Sequence, residues 1–314
     1  MVQARYHPPI PTRRAFRAID LLLVLRPKQW TKNLLVYASL LLNGEFRHLH
    51  SLLLVTQGFA VFCLLSGIGY IVNDVLDAER DKHHARKAYR PIAAGRLSRP
   101  VALCFAAGLL VAAMAWAYTL APYFFIFALA YLISTLSYSL YFKKKPVIDV
   151  CSISVGFILR AVAGGALLSH VVSNAFSPWF ILTVSLLALF LGFAKRRDEL
   201  FQYKENAGKH REALNFYSLH FLDQIITMLG AVIIVCYSIA ALSSSVGKDN
   251  PRFAFTIIPM IYGVFRYLYL VFHRNKGGNP EDLLIGDRQI ATSVLCWVAL
   301  VVWSFYFKTG IPWP

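Results

Sequence analysis

The chain is poor in charge, and poorest in negative charge. Only 15% of its 314 residues are charged, and 16 Asp and Glu face 32 Lys and Arg, for a formal net charge of +16. Soluble globular chains carry about 25% charged residues, so the scarcity argues against a soluble enzyme. It does not signal disorder either, because disorder requires low hydrophobicity. Cysteine is scarce too: Cys63, Cys104, Cys151, Cys236 and Cys296 lie far apart inside apolar runs. Such spacing offers neither a disulfide framework nor a zinc site. Residues 1–18 hold no apolar core of the kind a cleaved leader needs, so none is expected. No Ser-, Gly- or Pro-rich linker divides the chain, so residues 1–314 are expected to form a single domain.

What the chain has in plenty is long apolar runs. Apolar residues make up 57% of it, and the mean hydropathy is +0.54. A helix crosses a bilayer core of about 30 Å in roughly 20 residues. Stretches near 31–43, 51–73, 101–119, 122–142, 147–168, 177–194, 221–243, 253–272 and 289–307 qualify or come close. The first is short, and the apolar run Ile19–Leu25 before it either extends it or lies in the interface. The expected fold is an all-α integral membrane protein with nine spans.

Lys and Arg set the orientation. With the N-terminus inside, the inner segments 1–32, 74–100, 143–146, 195–220 and 273–288 hold 26 of them, and the outer segments hold 4. Cytoplasmic loops carry the Lys and Arg excess. The N-terminus is therefore expected in the cytoplasm, and the C-terminus across the cytoplasmic (inner) membrane. The basicity then reflects topology and attraction to anionic membrane lipids rather than nucleic acid.

Polar chemistry gathers on the inner face. The second span ends in Asn73-Asp74-Val75-Leu76-Asp77-Ala78-Glu79-Arg80-Asp81. On a helix, Asp74, Asp77 and Asp81 share one face. Three carboxylates so placed repel one another unless a cation sits among them. Oxygen ligands suit a hard ion, and Mg²⁺ held by one or two carboxylates completes its shell with substrate phosphates. A metal–diphosphate site accounts for the pattern, and so does a solvated helix end at a membrane surface. The basic stretch that follows, from Lys82 through Arg90-Pro91-Ile92-Ala93-Ala94-Gly95, favours the first, because acids beside a basic loop hold metal and phosphate oxygens together. His83 and His84 lack the i, i+4 spacing of helical metal ligands. Arg160 lies about 22 Å along its span from Lys145, at about 1.5 Å per residue. A cation that deep is costly unless it is paired or faces a wet cavity. A lipid phosphate and structural partners are both open to it.

These stretches resemble the UbiA superfamily of intramembrane prenyltransferases, whose members set nine helices around a central cavity. The resemblance covers essentially the whole chain. It is narrowest to the branch that joins phosphoribosyl pyrophosphate (PRPP) to a polyprenyl phosphate. Leu25–Asn33 resembles that branch's R-P-x-Q-W-x-K-N, and Arg90–Gly95 its R-P-I-A-A-G loop. Ile158–Gly165 resembles the intramembrane Arg segment, and Lys195–Leu200 a K-R-x-x-E-L run. Gly278–Asp282 with Asp287-Arg288 resembles a G-x-P-E-D…D-R loop.

The resemblance implies a cavity open to the cytoplasm and transfer of 5-phosphoribose to a decaprenyl-like phosphate, with Mg²⁺ or Mn²⁺ and release of pyrophosphate. It implies metal ligation by Asp74, Asp77 and Asp81, with Asp74, Asp77, Lys195 and Arg196 catalytic. Substrate contacts fall to Lys28, Lys32, Asn33, Asn73, Arg90, Tyr138, Lys143, Arg160, Arg197, Tyr217, Arg266, Glu281 and Asp282. Lys28 and Lys32 also suit snorkelling, the tyrosines suit the interface belt, and Glu281 and Asp282 equally suit ordering of the last loop. Aromatic prenyltransferases of the superfamily carry a second D-x-x-x-D after helix six. Here Lys195-Arg196-Arg197-Asp198-Glu199 stands in its place, which suits a donor phosphorylated at both ends. An aromatic prenyltransferase is the alternative within the superfamily. A transporter is the alternative outside it, although no inverted repeat is visible. Cell-wall synthesis as the destination and a homo-oligomeric state are compatible with this reading.

Overall fold

A computed structural model describes residues 17–82, 87–171, 178–203, 211–243, 247–248, 250–278, 282–283 and 286–306. The described residues are helices and their connections, without a strand.

The first apolar stretch departs from a single span. It is built in pieces: α1 (Ile19–Val24), a 3-10 helix over Pro27–Tyr37, and α2 (Ala38–Leu42). The break falls at Arg26, whose φ of 54° is left-handed. Its neighbour Pro27 disfavours helical backbone at the preceding residue. Runs of 3-10 helix longer than a few residues are uncommon. At about 2.0 Å per residue this one covers about 22 Å, and α2 adds about 7 Å.

The other eight stretches form helices long and apolar enough to cross a membrane. They are α3 (Leu49–Leu76), α5 (Arg99–Leu120), α6 (Pro122–Leu140), α7 (Ile148–Leu168), α8 (Pro178–Tyr203) and α9 (Leu219–Ser243), followed by α10 (Ile257–His273), extended by a 3-10 turn over Pro251–Thr256, and α11 (Arg288–Tyr306). The short α4 (Ala78–Lys82) follows α3. Pro122 opens α6, where a missing N–H costs nothing. Leu295, Ile258 and Val111 stand on the outside, as suits helices whose backbone is satisfied internally and whose side chains meet lipid.

Consecutive helices are neighbours, and the bundle closes where α11 meets α2. Phe46 and Phe305 pack edge to face at that seam. The 3-10 segment lies against α3 and α7. A Cβ on Gly164 would stand 1.9 Å from the Val36 carbonyl oxygen, so only glycine admits this approach. One apolar core joins α3, α5, α6 and α7, and a second joins α8, α9 and α10.

Arg160 belongs to the first core. Its Nε donates to Asn33 Oδ1 at 2.7 Å, Nη1 to the Gly156 carbonyl at 2.9 Å and Nη2 to the Tyr131 hydroxyl at 2.6 Å. The Tyr131 ring lies 4.5 Å beneath its guanidinium. Asn33 donates onward to Ser66 at 3.2 Å. Of the two roles open to Arg160, the geometry displays the structural one. It ties the 3-10 segment to α3, α6 and α7, and Asn33 is buried in the same node.

Candidate active site

One end of the helix bundle carries two polar networks. The first is built on the end of α3. The helix hesitates at Asp77, whose backbone (φ −94°, ψ 4°) separates α3 from α4, and the three aspartates part company. Asp74 Oδ1 accepts from Arg26 Nη2 and, at 3.0 Å, from Arg90 Nη1. The same Arg90 nitrogen donates to Asp81 Oδ2 at 2.5 Å. Asp77 turns instead to Lys143, whose Nζ donates to its two oxygens at 2.8 and 3.0 Å and to Asn73 Oδ1 at 3.2 Å. Asp74 and Asp81 thus share a cation, and Asp77 takes another.

The second network surrounds Asp149, in the first turn of α7 and fully buried. Arg196 Nε donates to Asp149 Oδ2 at 2.7 Å, and its Nη1 to Glu199 Oε2 at 2.6 Å. Arg211 Nη1 reaches Asp149 at 3.2 Å and the Tyr138 hydroxyl at 3.1 Å. The Tyr217 hydroxyl donates to Asp149 Oδ1 at 3.0 Å and accepts the Val147 N–H at 2.5 Å. Burial pushes the Tyr217 phenol well up, the Val147 N–H pulls it back and the Asp149 carboxylate raises it again, so it stays a donor at neutral pH. Val147 holds φ at 64°, which a β-branched residue rarely adopts.

The networks touch. Glu212, next to Arg211, is met by Lys144 at 3.3 Å and by Arg80 at 3.7 Å. Lys144 adjoins Lys143 of the first network. The three non-glycine residues with positive φ among those described are Arg26, Val147 and Asn275. All lie at the end of the bundle that carries these networks, and strain of this kind gathers at functional sites.

Among the described residues no group of three His, Cys, Asp or Glu is set to hold one metal ion. The donors nonetheless suit a hard divalent cation, since Asp74, Asp77, Asp81 and Asn73 offer only carboxylate and amide oxygens. Asp74 and Asp81 already converge on one positively charged nitrogen.

A family model described as the UbiA prenyltransferase family matches residues 34–284. The chain belongs to this family. It is accordingly a transferase, and a multi-pass membrane protein. Decaprenyl-phosphate phosphoribosyltransferase of Mycobacterium tuberculosis is 33% identical over 281 residues, covering 88% of this chain and 91% of that one. The protein of the same name in Corynebacterium glutamicum is 32% identical over 295 residues, or 90% and 85% of the two chains. A solved UbiA homolog from Archaeoglobus fulgidus, bound to GPP and Mg²⁺, aligns with a TM-score of 0.69 at 19% identity, over 93% of this chain and all of that one. At that identity the likeness is one of fold.

The UbiA fold brings together Asn73, Asp74, Asp77, Asp81, Arg90 and Lys143 in one network, and Tyr138, Arg196 and Tyr217 in the other. Arg196, expected to be catalytic, has a side chain only 1% exposed and lies between two carboxylates. Lys195 is half-buried next to it. Arg197 points away, donating to Asp223 at 2.7 Å, Asn275 at 2.8 Å and the Val271 carbonyl at 3.1 Å, so that it ties α8 to α9 and α10. Lys28 is exposed, and Lys32 donates to Gln29 at 2.5 Å. Asp282 is exposed, and Glu281 lies outside the described residues. A Cβ on Gly278 would fall 2.1 Å from Asp198 Oδ2, so the last inner loop presses glycine backbone against α8.

Arg266 serves Asp287 rather than either network. Its Nη2 donates to Asp287 Oδ2 at 2.7 Å, while Asp287 Oδ1 accepts the Ile290 N–H at 3.0 Å and so caps α11. The Arg266 hydrogen bond holds the Asp287 carboxyl below the usual carboxylate range. A depressed carboxylate contributes its stability in full above its ordinary pKa and loses it as pH falls through the depressed value. Asp287→Ala should therefore cost about 1 kcal/mol at neutral pH, a typical N-cap loss. Melting curves should show the gap between variant and parent closing in acid.

Arg26, Asp149, Glu199 and Arg211 were not among the expected site residues. Arg26 and Glu199 lie inside the motifs quoted above, so a signal existed for them. Arg211 carries none, being one of several basic residues in a polar connection that also holds Lys204 and Lys209.

Proposed function

We propose that the chain transfers 5-phosphoribose from PRPP to a polyprenyl phosphate, releasing pyrophosphate. The observation that carries this reading is the pair of adjacent networks, one rich in aspartate and the other built on Arg196 and Arg211. PRPP has a diphosphate at C1 and a monophosphate at C5, so it asks for charge-matched groups at two ends. The phosphoribosyltransferase names of relatives that align with about nine-tenths of the chain support it.

In this reading Asp74, Asp77 and Asp81, with Asn73 beside them, hold a divalent ion, with Mg²⁺ first and Mn²⁺ second in suitability. Such an ion supplies Lewis-acid stabilisation of the charge that grows on pyrophosphate as the C1–O bond breaks. Arg26, Arg90 and Lys143 stand where they can transfer from aspartate to diphosphate oxygens as fixed cations. The lipid phosphate is already an anion at neutral pH, so its oxygen attacks C1 without a strong general base. Catalysis then rests mainly on holding a soluble donor beside a membrane acceptor. The isoprenoid tail stays in the bilayer. In this reading the 3-10 segment and α2 serve as the ninth crossing, and the Lys and Arg excess sets both networks toward the cytoplasm.

The test is pyrophosphate release by the purified full-length chain. Release should require PRPP, a polyprenyl phosphate and a divalent ion together, and chelation should stop it. Release from a polyprenyl diphosphate with 4-hydroxybenzoate, and none from PRPP, would overturn the reading in favour of aromatic prenylation.

A further inference from the structure

Arg196 and Arg211 meet at one carboxylate under opposite conditions. Arg196 is almost wholly buried, and both Asp149 and Glu199 hold it at short range. Turning it toward a ligand would leave buried charges unpaired, which is strongly unfavourable. Arg211 is 23% exposed, and its contacts are longer: 3.1 Å from each Nη to the Tyr138 hydroxyl, 3.2 Å to Asp149 and 3.9 Å to Glu199. Asp149 keeps Arg196 and Tyr217 if Arg211 moves away. Arg211 sits on extended backbone (φ −153°) just before the 3-10 helix Glu212–Phe216, with its neighbour Glu212 anchored by Lys144 and Arg80. Of the two arginines its guanidinium is the more accessible and the less tightly paired.

Lys87, half-buried, is fixed to the first network by its carbonyl, which accepts the Arg90 N–H at 3.0 Å.

We infer that Arg211, with the Tyr138 hydroxyl beside it, forms the subsite for the phosphate monoester of the donor. The inference rests on the phosphoribosyl reading above. A guanidinium grips phosphate through two parallel N–H donors, and the Tyr138 hydroxyl that Arg211 now contacts supplies a third. Lysine, a point charge on a flexible stem, does not reproduce that fork. The diphosphate end lies at the aspartates, so the two ends are separable by mutation.

The experiment uses the full-length chain in detergent, with PRPP varied at saturating polyprenyl phosphate, and with ribose 5-phosphate and inorganic pyrophosphate as separate inhibitors. Arg211→Ala should raise the KM for PRPP about 10- to 100-fold, the worth of a charged hydrogen-bonded contact. It should weaken ribose 5-phosphate inhibition by a similar factor, leaving pyrophosphate inhibition and the KM for the lipid unchanged. Arg211→Lys should recover only part of the loss, and it carries the test if the alanine variant does not fold. Unchanged ribose 5-phosphate inhibition in an active variant overturns the subsite. Equal weakening of both inhibitors also overturns it, because it marks a general structural effect. Failure of the unaltered chain to turn over PRPP instead overturns the phosphoribosyl reading itself.

Discussion

Asp74→Asn should lower turnover by about 100-fold or more while leaving the protein folded. Removing even the groups that support a metal ligand costs about 10- to 100-fold, and Asp74 is placed as a ligand itself. Its side chain is 3% exposed and takes hydrogen bonds from both Arg26 and Arg90. Asparagine keeps the shape and one acceptor oxygen, so these contacts survive in weaker form. What disappears is the negative charge that balances two guanidiniums and would bind a divalent ion. Both arginines are partly exposed, and solvent limits the penalty of leaving them less well matched. Asp77→Asn should be gentler on stability, because Asp77 is more exposed and, among the described residues, pairs with Lys143 alone. Pyrophosphate release at saturating substrates, read alongside a melting curve, separates the two effects. Turnover within tenfold of the parent in a folded Asp74→Asn protein would remove Asp74 from the diphosphate end.

The spans were legible because a bilayer imposes a length and a composition on any helix that crosses it. Eight stretches became single helices for that reason. The first did not: Arg26-Pro27 parts α1 from the stretch near 31–43, and that stretch folds as the end of a 3-10 helix followed by α2. The acids at the end of α3 were legible from local spacing, but their division was not. Periodicity put Asp77 with Asp74 and Asp81, and the interruption at Asp77 together with Lys143 from a distant turn took it elsewhere. The same limit explains Arg160, whose partner Asn33 is 127 residues away. Depth in the membrane announced that Arg160 needed partners, and only the packed structure shows that they are a neutral amide, a phenol and a carbonyl. Arg211 lay beyond reach altogether. Nothing local distinguishes it from other basic loop residues until Asp149, Tyr138 and Glu199 are seen around it.

The larger loss of stability should follow from Asp149→Ala. Three donors from two parts of the chain converge on this fully buried carboxylate: Arg196 of α8, and Arg211 and Tyr217 at the two ends of the 3-10 helix Glu212–Phe216. Alanine leaves Arg196 in place with Glu199 as its remaining carboxylate. Breaking a buried ion pair by deleting one member costs about 3–5 kcal/mol. For a chain of this size that is a fall in melting temperature on the order of 10 °C. Tyr217 also loses its acceptor, and with it a restraint on the strained Val147 backbone to which it is bonded. Asp149→Asn should lie between parent and alanine, since the amide oxygen still accepts while the charge is gone. Arg211 does not depend on Asp149 alone, because Tyr138 holds it as well. At temperatures where Asp149→Asn is folded, the KM for PRPP should therefore rise less than in Arg211→Ala. A melting temperature for Asp149→Ala equal to that of the parent would mean that Arg196 finds its charge balance without Asp149, and that this carboxylate does not organise the second network.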